Sequence, residues 1–161
     1  MKTKTLFLLF AVFFLFTGNF AVAQITTNPA LPVATKGGTI TFDSSAEGRL
    51  GSFTGELYAH TGVILAGSSE WQHVIGDWAN NTNQPKLTHK GDGIYELVIS
   101  PDIMTYYGVP SGEKVVKLAM VFRSANWNND RKQTNDLFVD VYEEGLVVAV
   151  TSPDEGAMVD I

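Results

Sequence analysis

The chain has no cysteine among its 161 residues. This absence excludes disulfide bonds, thiol catalysis, thiolate metal sites and a lipid anchor on an N-terminal cysteine. Small exported domains often need disulfides because their cores are thin, whereas a chain of this length can bury enough apolar surface to fold without them. The fold must therefore be held together by noncovalent interactions.

Basic residues are scarce. The sequence has 11 Lys and Arg against 17 Asp and Glu, which gives a formal net charge of −6 at pH 7. Lys2 and Lys4 lie in the N-terminal segment, and the only basic cluster after that segment is the pair Arg131-Lys132. Nucleic acids and anionic lipid surfaces are bound by basic patches. We therefore expect no nucleic-acid partner and no membrane-surface partner.

Apolar runs long enough to span a membrane are also missing. The longest run is "LFLLFAVFFLF" (Leu6–Phe16), which is too short for a span. It follows two lysines and precedes the small-x-small pattern Ala21–Ala23, in the order that a secretory signal peptide uses. We predict a signal peptide over residues 1–23, and hence a secreted, cell-surface or periplasmic protein. An uncleaved anchor is disfavoured because Thr17–Asn19 interrupts the apolar run.

Helical patterns are nearly absent, and strand patterns dominate. Period-two alternation or β-branched and aromatic enrichment marks six segments: Thr39–Ser44, Gly55–Leu65, Lys86–Gly91, Ile94–Ser100, Lys114–Ala125 and Asp136–Glu144. Only "PDIMTYYG" (Pro101–Gly108) indicates a short helix, because Pro suits a first helical turn and Gly a stop. Six or seven strands with one short helix predict an all-β fold, an antiparallel immunoglobulin-like β-sandwich.

Alternation also predicts which side chains face the core. In the fifth segment we predict a buried row of Val116, Leu118, Met120 and Phe122, with Ala119, Val121 and Arg123 on a second, partly covered face, as in a central strand. In the second segment Leu57, Ala59 and Val63 are expected to face inward, with a β-bulge at Gly62. Tyr58 and His60 would then face outward.

The pattern restarts after Glu144. "GLVVAVTSPDEGAMVDI" contains a further strand pattern at Leu146–Val150 and then a turn. We therefore assign the β-sandwich module to residues 24–144, and residues 145–161 either to the start of a following domain or to the last strand of the sandwich. A chain that stops within an apolar pattern favours a longer parent protein.

Catalytic and cofactor motifs are lacking. The three histidines, His60, His73 and His89, are scattered, and no Gly-x-Ser-x-Gly, phosphate-loop or Gly-x-Gly-x-x-Gly sequence occurs. Carboxylate pairs such as Glu56 with Glu96 could serve as a glycosidase acid and base, but nothing in their sequence context distinguishes them from solvated acids. We expect no enzymatic activity in this chain, no cofactor and no metal site.

Tryptophan is present where turn residues dominate. Trp71 and Trp78 lie in "SSEWQHVIGDWANN" close to Asn80, and Trp127 lies in "SANWNND" between Asn126 and Asn128. Aromatic rings stack on the apolar C–H faces of sugars while amides bind hydroxyls, so these residues are candidate carbohydrate-binding residues. The alternative is burial, since Trp71, His73 and Ile75 would share one face if "WQHVI" were a strand.

Several ordered segments carry a family resemblance: "YAHTGVI", "EWQHVIGDW", "KLTHKGDGIYELVISP", "YYGVPSGEKVVKLAMVFRSANWN" and "DLFVDVYE". Together they resemble the N-terminal β-sandwich module that precedes the catalytic barrel in secreted bacterial α-amylase-family glycoside hydrolases, and more loosely they are similar to starch-binding immunoglobulin-like modules. The resemblance implies a non-catalytic accessory module with a downstream catalytic domain as partner. It further implies either binding of α-glucan polysaccharide through loop tryptophans or a purely structural spacer role.

Overall fold

Two antiparallel sheets make up the computed structural model, which describes residues 24–51, 53–126 and 131–145. The strands are β1 (Ile25–Asn28), β2 (Gly38–Asp43), β3 (Leu57–Leu65), β4 (Thr88–Gly91), β5 (Ile94–Ile99), β6 (Val115–Ser124) and β7 (Leu137–Asp140), and the helix α1 spans Ile103–Tyr107. A short 3-10 helix covers Ser44–Ala46. None of the helices in the described part of the chain is long and apolar enough to cross a membrane.

The strand order is that of a constant-type immunoglobulin domain. One sheet has the order β1-β2-β5-β4 and the other β3-β6-β7. Read in chain order as strands A to G, these are the sheets A-B-E-D and C-F-G. All strand pairs within the two sheets are antiparallel. The predicted antiparallel immunoglobulin-like β-sandwich is confirmed.

The core lies between the two sheets and follows the alternation of the strands. Its inward-facing residues include Ile40, Phe42, Leu57, Ala59, Val63, Tyr95, Leu97, Leu118, Met120 and Phe122. The rings of Phe42 on β2 and Phe122 on β6 meet with centroids 4.8 Å apart. In antibody domains the corresponding two strands are joined by a disulfide. Here an aromatic contact joins the sheets between those strands.

The predicted strands agree with the observed ones to within a few residues at most ends. The clearest difference is at β7, which was predicted to run to Glu144 but ends at Asp140. The buried row of β6 is confirmed at Leu118, Met120 and Phe122. It is wrong at Val116, because the register shifts there and Val115 lies in the core instead. The second face is covered as well, since Val121 and Arg123 are buried. Strand β1 was not predicted, because four residues with the pattern "ITTN" carry too little alternation to be recognised. The predicted strand at Leu146–Val150 lies outside the described residues.

The predicted bulge at Gly62 is wrong. The pairing of β3 with β6 runs in register through Gly62, and the shift occurs between Ile64 and Leu65. Glycine is required at position 62 because a Cβ there would approach Gln72 O to 2.7 Å. The residue therefore marks a place where another segment of the chain crosses the sheet closely.

Helix α1 confirms the predicted short helix and closes one end of the core. Asp102 caps it by accepting a hydrogen bond from the Thr105 N–H at 2.8 Å, and Gly108 ends it with a φ of 65°, as expected for a left-handed C-terminal cap. The last residue of the helix, Tyr107, is buried, and its hydroxyl lies 2.8 Å from Thr61 Oγ1 on β3.

Candidate functional site

The outer face of the β3-β6-β7 sheet carries a cluster of aromatic and polar side chains. Leu57 and Ala59 of β3 face the core, so Tyr58 and His60 point to the opposite side, as the alternation predicted. On β6 the facing positions are Arg123 and Val121, which pair with Tyr58 and His60 respectively. This face would be open to solvent if the loop that follows β3 did not fold over it.

That loop is attached along the free edge of β3. Gln72 and Val63 exchange two backbone hydrogen bonds of 2.8 Å, and the Ile75 N–H donates to Thr61 O at 2.9 Å. Further along, the Leu87 N–H donates to Leu57 O at 2.9 Å. Because these bonds fix the loop at both ends of the strand, the residues between them are held against the outer face of the sheet.

The two tryptophans of the loop both contact His60. Their ring centroids lie 5.8 Å from the imidazole for Trp71 and 5.0 Å for Trp78. Trp71 is nearly parallel to the imidazole, at 23°, whereas Trp78 is nearly perpendicular to it, at 81°. The indole planes are therefore steeply inclined to each other. They form a corner with His60 between them, and not one flat platform.

The tryptophans differ in exposure. Trp78 is 41% exposed, whereas Trp71 is half-buried and packs nearly perpendicular to the ring of Phe138 on β7, with the centroids 6.3 Å apart. The strand suggested for "WQHVI" is wrong, because within it only Gln72 forms a β-bridge and His73 turns the chain with a φ of 50°. The corner thus has one anchored ring, Trp71, and one ring open to solvent, Trp78.

A buried polar chain lies beneath the tryptophans. The guanidinium of Arg123, which has no exposed surface, donates from Nε to Gln84 Oε1 at 2.7 Å and also from Nη2 to the same oxygen. The other end of the Gln84 amide, Nε2, lies 2.9 Å from His60 Nδ1. The guanidinium also lies over the ring of Tyr58, 5.4 Å from its centroid, a favourable contact between a cation and an aromatic face.

Burial and the nearby positive charge both act on the histidine. Removal from water lowers the pKa of His60, and the charge of Arg123 lowers it further, since each disfavours the protonated imidazole. Burial likewise lowers the pKa of Arg123. The imidazole at the corner is therefore neutral at neutral pH.

The amide residues predicted for the site are only partly brought together. Asn80 Oδ1 accepts from the Thr82 N–H at 3.0 Å, so this side chain shapes the turn. Asn81 Nδ2 donates to Ala125 O at 3.0 Å, which ties the Trp78 loop to the end of β6, next to the exposed residue Asn126. Trp127 and Asn128 lie outside the described residues.

Sequence reasoning missed several residues of this face. Alternation placed Tyr58 and His60 on the outer face but gave no reason to join them to the tryptophans. Arg123 was placed on a partly covered face, and its complete burial has no local signal. Gln84 and Phe138 were not singled out, because a loop glutamine and an edge-strand phenylalanine have ordinary sequence contexts.

The candidate glycosidase carboxylates, Glu56 and Glu96, have lysine partners. Glu56 forms an ion pair with Lys86, and Glu96 with Lys90 at 3.3 Å. Across residues 24–51, 53–126 and 131–145, His, Asp and Glu side chains nowhere form a group of three that could hold a metal ion.

In the part of the chain that the structure describes, fold and site together define a seven-stranded immunoglobulin-like sandwich with an aromatic corner on the outer face of its three-stranded sheet. No protein-family model matches the chain, and no curated protein matches it.

Proposed function

We propose that this protein is an exported, non-catalytic accessory module of a polysaccharide-degrading enzyme, and that it binds α-glucan through the tryptophan corner. The observation that carries the proposal is the exposed ring of Trp78 held beside His60 and Trp71. An exposed tryptophan that is fixed by a neighbouring ring is preorganised for stacking, so little conformational entropy is lost when a ligand binds.

The inclination of the rings bears on the kind of sugar. A flat chain of β-linked sugars is matched by coplanar rings, whereas an α-linked glucan curves and presents successive sugar rings at an angle. The steep angle between the indoles of Trp71 and Trp78 suits a curved chain. This agrees with the α-glucan that the sequence resemblance implies.

The affinity expected of such a site is low. Each aromatic stacking contact contributes on the order of 1 kcal/mol, and each hydrogen bond to a neutral group adds about 0.5 to 1.5 kcal/mol. Two such stacking contacts with two to four such hydrogen bonds sum to roughly 4 to 6 kcal/mol, which corresponds to dissociation constants of roughly millimolar to tens of micromolar. Weak binding of this kind is useful when the module is tethered to an enzyme acting on the same polymer, since tethering raises the effective concentration.

The test is the substitution Trp78→Ala in the exported protein. We expect retardation in a starch-containing native gel to be lost while the midpoint of thermal unfolding stays nearly constant, because the ring is largely exposed. Trp71→Ala should lose retardation and also about 1 to 3 kcal/mol of stability, since this ring is wedged between His60 and Phe138.

Val98→Ala is the matched control, because Val98 is 55% exposed on the other sheet. It should change neither retardation nor stability. If the parent protein is not retarded at all, or if Trp78→Ala is retarded like the parent, the proposed sugar site is wrong.

A structural spacer is the second candidate. It is favoured by Phe138, which is 49% exposed beside Trp71 and would be covered if a downstream catalytic domain packed on this face. Under this hypothesis Phe138→Ala and Trp78→Ala both weaken association with that domain, and the parent shows no retardation by starch.

A further inference from the structure

We propose that His60 is a ligand-contacting residue whose Nε2–H donates a hydrogen bond to a sugar hydroxyl at the tryptophan corner, and that Arg123 fixes this donor through Gln84. The inference rests on the proposed sugar site and specifies its polar contact. It follows from the direction of each hydrogen bond in the buried chain.

The first step is the orientation of the Gln84 amide. A guanidinium has only donors, so the amide atom that faces Arg123 has to be the carbonyl oxygen. Both Nε and Nη2 of Arg123 converge on that oxygen, while Nη1 donates to Ser124 O at 3.1 Å. Because Gln84 is buried, its amide cannot rotate without leaving these donors unpaired, which is costly in a buried site.

The second step is the tautomer of His60. With its oxygen committed to Arg123, Gln84 presents its NH2 group to His60 Nδ1 at 2.9 Å. An NH2 group can only donate, so Nδ1 has to accept and cannot carry a proton. The neutral imidazole therefore carries its proton on Nε2.

The third step is access to that proton. His60 Nε2 has no hydrogen-bond partner among the described residues, yet none of their completely buried side-chain nitrogens and oxygens lacks a partner. Nε2 of the half-buried His60 is therefore not completely buried. Since the imidazole lies 5.0 Å from the exposed indole of Trp78, a sugar stacked on that indole brings a hydroxyl next to an unused donor.

The surroundings keep the donor in this state when the pH falls. A proton on Nδ1 would place two hydrogen-bond donors, Nδ1–H and the Gln84 NH2 group, against each other. It would also place a second positive charge near Arg123 on β6. The other groups against the ring are the uncharged indoles of Trp71 and Trp78, and Tyr58 is the titratable neighbour on β3. The imidazole should thus stay neutral, with Nδ1 unprotonated, to a pH below that at which a free histidine titrates.

The tautomer is tested without any sugar. In the 15N-labelled exported protein, long-range 1H–15N spectra assign His60 by comparison with His60→Phe. We expect the Nε2–H tautomer in the parent. We expect the Nδ1–H tautomer in Gln84→Glu, because a carboxylate oxygen accepts where the amide donated. An Nδ1–H tautomer in the parent, or no change in Gln84→Glu, overturns the inference.

The ligand contact is tested with maltoheptaose. Titration should shift the His60 Nε2 resonance in the parent, and His60→Phe should bind about five- to tenfold more weakly, as expected for one neutral hydrogen bond. His89→Phe is the matched control, since His89 also stacks on an aromatic ring, that of Tyr95 at 4.6 Å, but on the other sheet.

The two proposals fail in different ways. If the parent binds maltoheptaose and His60→Phe binds equally well, the contact at His60 is wrong while the sugar site stands. If the parent does not bind while Trp78→Ala and the parent unfold alike, the proposed function is wrong and the ligand role of His60 falls with it.

Discussion

At the scale of single residues, two hydroxyl groups in the core are linked by hydrogen bonds whose donors and acceptors can be assigned. Thr61 Oγ1 donates to Ala119 O at 2.9 Å, so its oxygen is left to accept from the Tyr107 hydroxyl, 2.8 Å away. Thr61 is a polar residue in an otherwise apolar, inward-facing row of β3. Its buried hydroxyl needs hydrogen-bond partners, and the Tyr107 hydroxyl is one of them. The pair ties helix α1 to the sheet that carries the tryptophan corner.

This chain predicts unequal effects of two substitutions. Tyr107→Phe should cost about 1 kcal/mol, because the Thr61 hydroxyl keeps its bond to Ala119. Thr61→Val should cost about 1 to 3 kcal/mol, since it strands the buried Tyr107 hydroxyl. Urea unfolding midpoints give the comparison, with Tyr106→Phe as a near-neutral control on the same helix. Equal losses for the two variants would contradict the assigned direction.

The same tyrosine predicts the response to alkaline pH. Burial raises the pKa of Tyr107 well above its ordinary range. Above about pH 10 the unfolded chain loses this proton while the folded protein retains it, so the free energy of unfolding falls as the pH rises. In Tyr107→Phe the decrease in the free energy of unfolding between neutral pH and pH values above about 10 should be smaller than in the parent protein.

At the scale of elements, the tryptophan loop depends on its crossing of β3. A Cβ on Gly62 would come within 2.7 Å of Gln72 O and within 3.0 Å of the Val74 side chain. The loop is also hydrogen-bonded to the strand on both sides of this point, at Thr61 and Val63. The close approach is what brings Trp71 onto the outer face.

Gly62→Ala should therefore displace the loop. We expect a loss of about 1 to 3 kcal/mol in stability, as for overpacked sites, together with weaker retardation in the starch gel. Gly48→Ala is the control, because a Cβ there meets nothing within 4 Å. Unchanged retardation in a folded Gly62→Ala protein would show that the position of the loop is irrelevant to binding.

At the scale of the whole molecule, stability comes from a core shared by two sheets. The rings of Phe42 and Phe122 contact across the sandwich. On the strand next to that of Phe42, the ring centroid of Tyr95 lies 6.4 Å from the ring centroid of Phe42. With no cysteine in the sequence, apolar burial is the dominant stabilising contribution. Thermal unfolding of the protein should accordingly be cooperative, with a midpoint that neither chelator nor reductant changes. A lower midpoint with chelator would reveal a metal requirement.

The sequence alone determined the class of fold, the approximate bounds of six strands and the C-terminal cap of helix α1. Alternation depends only on which face of a strand is buried, so Leu118, Met120 and Phe122 were recognisable locally. Gly108 was recognisable as a helix end because glycine adopts a positive φ without strain. For residues such as these, the residue type and its position in the local pattern are enough to predict the environment.

The tertiary structure decided the sheet order, the role of Gly62 and the composition of the site. Trp71 and Trp78 are seven positions apart, and the pattern between them could not show that both contact His60. Arg123 and Gln84 meet because β6 pairs with β3 and the loop returns along the edge of β3. Such contacts depend on long-range backbone hydrogen bonds, which no local periodicity records, and so the polar chain beneath the tryptophans is a property of the folded protein.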